Sequence, residues 1–176
     1  MKRSLLLITI AFVLFIFGFN AFTDKGVVEQ LKDEYPEVKE VAELLPRSVQ
    51  QKLAAPTNLP FKSKNVALTY AGDMPGKPKR DIIHTEFIYG NGEGVTLHVT
   101  TYHHKNTTWS VDEKQTIIFK LKDGTKALIE GDAENVKQIR WKKDGIYYSI
   151  MLIKSPEVEK EYTIEDVVKT ANSMEY

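Results

Sequence analysis

Three side chains of a predicted β-hairpin have the chemistry of metal ligands. His84, Glu86 and His98 lie at even spacings along two neighbouring strands, so they share one face of the sheet. If the register places His84 or Glu86 opposite His98, two imidazoles and a carboxylate come close enough to bind zinc. The sequence leaves that register open. The alternative interpretation is the solvated polar face of a half-exposed sheet.

The second candidate site is a polar loop with aromatic residues at both ends. It covers residues 102–109, and its predicted binding residues are Tyr102, His103, His104 and Trp109. Loops carry binding residues more often than cores do, which favours this stretch as a binding surface. The alternative is an ordinary loop held in place by Trp109.

Composition and motifs argue against several classes of function. The chain contains no cysteine, no Gly-x-Ser-x-Gly, no His-Glu-x-x-His and no Walker loop. Its 24 basic and 24 acidic side chains balance, so the whole molecule has no field that would attract nucleic acid. We therefore expect a protein without catalytic activity, resident cofactor or nucleic-acid partner.

The N-terminal residues predict a membrane segment. Lys2 and Arg3 precede an uncharged, mostly apolar run that continues to Thr23, and a spanning helix needs about 20 such residues. The tight basic cluster predicts a cytoplasmic N-terminus with the rest of the chain outside the cytoplasm. The sequence thus indicates a single-pass anchor in residues 1–23. The alternative is a cleaved signal and a secreted protein.

Residues 24–60 follow a helical pattern that proline interrupts. Pro36 and Pro46 are unfavourable inside a helix, so two or three short amphipathic helices are expected on the globular domain or on the membrane surface. The alternative is a self-associating stalk. Residues 54–60 are predicted to be a linker. The apolar positions are spaced alternately by three and four: Val28, Leu31, Tyr35, Val38, Ala42, Leu45 and Val49.

Residues 61–176 alternate with a period of two between turn sequences. Asp144-Gly145 fits a type I′ turn that pairs Trp141 with Tyr148 and Ile139 with Ile150. By the same rule, Asp123-Gly124 predicts two further pairs, Phe119 with Leu128 and Ile118 with Ile129.

A third hairpin turns at residues 90–94. Its inner face is predicted to hold Ile83, Phe87, Tyr89, Val95, Leu97 and Val99. Its other face is predicted to hold His84, Glu86, Thr96, His98 and Thr100.

The chain closes with an amphipathic helix. Thr163 is its predicted cap, and two acids occupy its first turn. Its apolar face carries Ile164, Val167, Val168, Ala171 and Met174. The fold expected for residues 61–176 is α+β: an antiparallel meander of about seven strands with a covering C-terminal helix.

The C-terminal residues resemble a known domain family. Trp141, Asp144-Gly145 and Tyr148 match its Trp-x-x-Asp-Gly-x-x-Tyr hairpin, and Ala171 begins the Ala-x-Ser at the end of its closing helix. The family is an uncharacterised extracytoplasmic domain of membrane-anchored proteins in Gram-positive bacteria. The resemblance implies a non-catalytic role and supplies no functional residues.

The expected function is that of an anchored extracytoplasmic domain that binds a protein partner or an envelope component in sensing, assembly or regulation. One alternative is a carrier of an apolar ligand or lipid in a cavity between sheet and helix. The other is a metal-dependent enzyme that uses His84, Glu86 and His98.

Overall fold

The computed structural model describes residues 25–72, 81–104 and 117–176. The helices in these ranges are α1 (Val27–Glu34), α2 (Pro36–Leu44), α3 (Arg47–Gln50) and α4 (Ile164–Ala171). The strands are β1 (Ala55–Pro56), β2 (Asn65–Gly72), β3 (Ile82–Gly90), β4 (Val95–Tyr102), β5 (Ile117–Lys120), β6 (Lys126–Ala133), β7 (Val136–Lys143), β8 (Ile146–Lys154) and β9 (Met174–Glu175).

The predicted membrane anchor, residues 1–23, lies outside the described residues. Among the helices of the described ranges, none combines the length and the apolar character that crossing a bilayer requires.

The main sheet has seven antiparallel strands in the order β2-β3-β4-β8-β7-β6-β5. The predicted seven-stranded antiparallel sheet is therefore confirmed, but the single meander is wrong. The strands β2 to β4 form one meander and β5 to β8 form another, and the last strand of the second lies beside the last strand of the first. This central position pairs both edges of β8, whose side chains Tyr148, Ile150 and Leu152 are buried.

The two Asp-Gly turns differ. Asp144 and Gly145 both have positive φ, 49° and 81°, and the predicted pairs Trp141 with Tyr148 and Ile139 with Ile150 are confirmed. At the other turn, the Leu121 N–H donates to the Thr125 carbonyl at 2.8 Å, which closes a three-residue loop.

The predicted register of the β5–β6 hairpin is therefore wrong by one residue. Ile118 pairs with Leu128, and Phe119 pairs with Ala127. Gly124 has positive φ, 86°, whereas Asp123 does not, so this turn is not type I′. The one-residue difference follows from the longer loop.

The inner face of the third hairpin, formed by β3 and β4, holds the predicted residues except Ile83. Phe87, Tyr89 and the predicted β4 residues are buried, whereas Ile83 is 36% exposed. The pairing of β2 with β3 shifts register between Ala71 and Gly72, at the start of β3. This irregularity changes the facing of the first β3 residues, so that Ile82 is buried and Ile83 is not.

The N-terminal helices pack on the sheet. Pro36 occupies the first turn of α2, and Pro46 immediately precedes α3. Three short helices confirm that part of the prediction. Most of the apolar seam of residues 28–49 is buried against the sheet. The helical region 24–60 and the sheet region 61–176 therefore share one hydrophobic core. The buried seam residues are Leu31, Val38, Ala42, Leu45 and Val49.

The C-terminal segment forms the last helix and then pairs with the strand that follows the N-terminal helices. Thr163 occupies the predicted N-cap position of α4, and its backbone N–H donates to the Asp166 carboxylate at 3.0 Å, as in a capping box. The helix ends at Ala171, and Met174 belongs instead to β9, which pairs with β1. The segment predicted as a linker therefore contains a strand.

Two adjacent leucines test how far the N-terminal helices contribute to the fold. Leu45 is 3% exposed, whereas Leu44 is 52% exposed. We expect Leu45→Ala to lower the free energy of unfolding by about 3 kcal/mol, because it leaves a cavity under the sheet. Leu44→Ala is the matched control and should cost less than about 0.5 kcal/mol. Urea unfolding of both variants measures the difference, and equal losses would contradict this packing.

Candidate functional site

The candidate site is the face of the seven-stranded sheet opposite the helices, here called the open face. The helices and the buried apolar side chains occupy the other face. Most side chains of the open face are half-buried, although Thr100 and Ser149 are 8% and 4% exposed. The polar and aromatic residues across its four central strands include His84, Glu86, His98, Thr100, Tyr102, Gln138, Arg140, Tyr147 and Ser149.

Glu86 is the centre of a hydrogen-bonded cluster on the open face. Its Oε2 lies 3.3 Å from His98 Nδ1, and its Oε1 accepts the Thr100 hydroxyl at 3.0 Å. Thr100 is directly opposite Glu86, whereas His98 is opposite Ile88 and reaches the carboxylate diagonally. Neither register considered for the zinc site is the one observed.

The hairpin loop explains this register. The Asn91 N–H donates to the Val95 carbonyl at 3.1 Å, and the Asn91 side chain accepts the backbone N–H groups of Glu93 and Val95. This loop sets Gly90 opposite Thr96, and every later pair of the hairpin follows from it.

The environment of Glu86 favours its charged form. The hydrogen bond from His98 lowers the pKa of the Glu86 carboxyl, and the charge of His98, the Thr100 hydroxyl and the charge of His84 lower it further, while burial opposes them. Glu86 therefore contributes stability that is present above its ordinary pKa. That stability is lost as the pH falls through its lower pKa in the folded protein.

Two of the three predicted zinc ligands meet. His84 is opposite Tyr102 and lies 5.8 Å from it between ring centroids. Among the described residues, no group of three His, Asp or Glu side chains is arranged to hold a metal ion. The geometry of Glu86 and His98 thus provides an acid–base pair, and zinc binding at these residues stays a prediction.

Two further polar contacts continue across the open face. Arg140 Nη1 donates to the Glu130 carboxylate at 2.6 Å, and Gln138 Nε2 donates to Ser149 Oγ at 3.3 Å. The sequence analysis did not select these residues. Alternation around the predicted Trp141–Tyr148 pair already placed residues 140 and 149 on the face away from the core. Only the strand order shows that Ser149 lies opposite Thr100 and that Arg140 follows on the next strand.

The second candidate site is divided between the two faces of the sheet. Tyr102 lies on the open face, whereas His103 follows it on the opposite side, where its Nε2 is 2.9 Å from Thr85 Oγ1. His104 is exposed. Trp109 lies outside the described residues, so its role in binding stays a prediction.

His103 is held in its neutral form. Burial lowers the pKa of its imidazole to about 4, and the positive charges of Lys52 and His84 contribute. Its Nδ1 is buried and has no hydrogen-bond partner among the described residues.

An open pocket of about 230 Å³ lies at the end of α4. Its lysine and aromatic side chains already contact one another: Lys143 Nζ lies 2.8 Å from Asp123 and 4.2 Å from the centre of the Tyr176 ring. These contacts stabilise the C-terminal residue on Trp141, whose indole N–H donates to the Tyr176 hydroxyl at 3.0 Å. The residues of the pocket thus serve to hold Tyr176 against the sheet.

Neutral His103 predicts a pH-dependent stability. As the pH falls from about 6.5 to about 4, the unfolded chain takes up a proton that folded His103 does not, so stability decreases. We expect a loss of about 2 kcal/mol, reduced by partial exposure to solvent. His103→Gln should remove this loss, and His104→Gln, at the exposed neighbour, should retain it. Urea unfolding at pH 7, 5 and 4 measures both, and an unchanged profile for His103→Gln would contradict the assignment.

Glu86→Gln should weaken the open-face cluster. Loss of the charged acceptor is expected to cost about 1 kcal/mol of unfolding free energy at pH 7. The difference from the wild type should shrink as the pH falls through the lowered pKa of the wild-type Glu86 carboxyl, which then also becomes neutral. Glu93→Gln, which removes an exposed ion pair with Lys64, is the control and should cost less than Glu86→Gln, because solvent screens the exposed pair. A larger effect at Glu93 than at Glu86 would refute the cluster's contribution.

The comparisons with known proteins leave the family open. No protein-family model, no curated protein and no solved structure matches the chain. The resemblance of the C-terminal residues to the extracytoplasmic domain family therefore stays a prediction. Among the described residues, the polar side chains of the open face are linked by hydrogen bonds and ion pairs.

Proposed function

We propose that this chain is a non-catalytic domain on the outer face of a bacterial membrane, and that its open face binds a protein partner or an envelope component. Residues 1–23 hold it to the membrane in this proposal. Its role lies in sensing, assembly or regulation at the cell envelope.

One observation carries the proposal: the polar side chains of the open face are already fixed by contacts with one another. Glu86 is held by His98 and Thr100, and Arg140 is held by Glu130. A binding surface that is ordered before its partner arrives loses less conformational entropy on association. Such an arrangement suits recognition, and the described helices pack on the other face.

The packing of the covered face favours surface binding over an interior ligand site. The side chains between helices and sheet include Val38, Leu97, Ile150 and Val167, each 0% exposed. A carrier of an apolar ligand needs a cavity of a few hundred Å³ in this position. Among the described residues, these side chains pack against one another as part of one core.

The placement at the membrane rests on the sequence. Lys2 and Arg3 before a long uncharged run support a cytoplasmic N-terminus, and the hairpin motif at Trp141 supports an extracytoplasmic domain. The first helix begins at Val27, four residues after the predicted anchor ends at Thr23. This short spacing keeps the domain close to the bilayer surface.

Photo-crosslinking in cells tests the binding face. A benzophenone amino acid replaces Thr69, which is exposed on the open face opposite Glu86, in the full chain expressed in a Gram-positive host. The control position is Glu43, exposed on the outer side of α2. We expect a light-dependent adduct from position 69 and none from position 43. No adduct at 69, or equal adducts at both positions, would contradict the proposal.

The same cells test the location. Protease added to protoplasts should digest the domain while a cytoplasmic marker stays intact. A domain that is cut only after lysis would refute its placement outside the membrane.

A further inference from the structure

Three lysines form a row at one end of the main sheet. Lys120 on β5 is directly opposite Lys126 on β6. Lys142 on β7 continues the row, one residue beyond the pair of Ala127 with Trp141. Since Ala127 and Trp141 point into the core, their neighbours in these strands point to the open face. We call the three lysines, which are all exposed, the lysine row.

This end of the sheet is positively charged. The segments that contain its two hairpin loops, residues 120–126 and 142–145, hold five lysines and two aspartates, a net charge of +3. One of the aspartates, Asp123, is paired with Lys143 at 2.8 Å. Among the described residues, no ion pair includes a member of the lysine row. The charges of the row are therefore available to an anionic partner.

The pairing of Lys120 with Lys126 is unfavourable by itself. Like charges directly opposite each other in a sheet repel and destabilise the pairing of the strands. Lys142 adds a third charge, and its contact with the Tyr147 ring, 4.6 Å from Nζ to the ring centre, leaves that charge in place. With strands about 4.8 Å apart, the row spans about 10 Å. An anionic surface in contact with the row relieves this repulsion.

The start of the first helix lies at the same end of the sheet. The Val27 N–H donates to the Glu175 carboxylate at 2.8 Å. The indole N–H of Trp141 donates to the hydroxyl of the next residue, Tyr176, at 3.0 Å. Trp141 is the strand neighbour of Lys142. The side chains of Glu175 and Tyr176 thus connect the start of α1 to the lysine row.

This connection brings the lysine row close to the predicted anchor. Val27 follows Thr23, the last residue of the anchor, by four positions. Consecutive Cα atoms are 3.8 Å apart, so these two residues lie within about 15 Å of each other. A bilayer that contains anionic lipid attracts lysines near its surface, over a Debye length of about 8 Å at physiological salt. Charge and position therefore both favour lipid headgroups as the partner of the row.

We propose that the lysine row docks on the anionic phospholipid headgroups of the membrane that holds the chain. This inference rests on the anchor of the proposed function, and it adds an orientation to it. The end of the sheet with the lysine row contacts the bilayer, and the sheet stands upright from the membrane. The β6–β7 turn at Glu134 lies at the opposite end, furthest from the bilayer. The rest of the open face then stays accessible to its partner.

Fluorescence quenching in nanodiscs tests this orientation. The chain contains no cysteine, so Thr125→Cys in the β5–β6 loop gives a single site for a bimane label. The full chain is assembled into discs of phosphatidylcholine, alone or mixed with phosphatidylglycerol, that also contain a lipid with a spin-labelled headgroup as quencher. We expect the label to lose at least half of its fluorescence in the anionic discs and little in the zwitterionic ones. A label at Glu134→Cys should keep its fluorescence in both.

Paired substitutions test the lysines themselves. Lys120→Gln with Lys126→Gln should weaken docking about 25-fold, because each lysine near an anionic surface contributes about fivefold. Quenching at position 125 should then fall to its level in zwitterionic discs. Lys120→Arg with Lys126→Arg keeps the charge and should keep the quenching. Lys62→Gln with Lys64→Gln is the matched control, because Lys64 lies beside Gly90 at the other end of the sheet. Thermal unfolding checks that each variant is folded.

Three results would overturn the inference alone. One is equal quenching at positions 125 and 134 in the anionic discs, and another is quenching that survives the paired glutamine substitutions of the lysine row. The third is lysine-dependent binding of soluble polyphosphate without docking on the anionic discs, which would assign the row to a soluble polyanion. In each case the proposed function stands.

Failure of the proposed function gives a different result. A chain that does not enter the nanodiscs has no membrane anchor, which would overturn both the placement at the membrane and the inference that rests on it. A chain that enters the discs while position 125 stays unquenched keeps its anchor, and only the docking of the lysine row is then overturned.

Discussion

Pairing between β4 and β8 joins the two halves of the main sheet. It runs from Val95 opposite Lys154 to Tyr102 opposite Tyr147, and it connects the meander of β2 to β4 with that of β5 to β8. Both strands thereby become internal, and their inward side chains, among them Leu97 and Ile150, are fully buried. Without this long-range pairing, each half would expose one long edge to solvent.

The described helices cover one face of this sheet, and the first and last described segments hold that cover in place. Ala55 pairs with Glu175, and the Glu175 carboxylate accepts the Val27 N–H at the start of α1 at 2.8 Å. The Thr57 N–H donates to the Ser173 carbonyl at 3.0 Å. The first and last described segments thus stabilise each other, and their apolar side chains fill the core on the same side.

The open face is a consequence of this one-sided cover. Its polar groups are too enclosed to be fully hydrated, so Glu86, Arg140 and Gln138 find partners on neighbouring strands. The hydrogen bond from His98 keeps the pKa of the Glu86 carboxyl low despite burial. The same strand order places Tyr102 opposite Tyr147.

Local features of the sequence determined the elements themselves. The period of two, the Asp144-Gly145 turn and the cap at Thr163 act over a few residues, so the strands, that register and the last helix could be predicted from them. The register at Asp123-Gly124 could not, since one dipeptide occurs in both two- and three-residue loops. The diagonal contact of His98 with Glu86 follows from the register that the Asn91 loop sets, which the turn sequence did not specify. Tertiary structure alone decided that β8 lies beside β4, because this pairing joins strands distant in sequence and depends on burial.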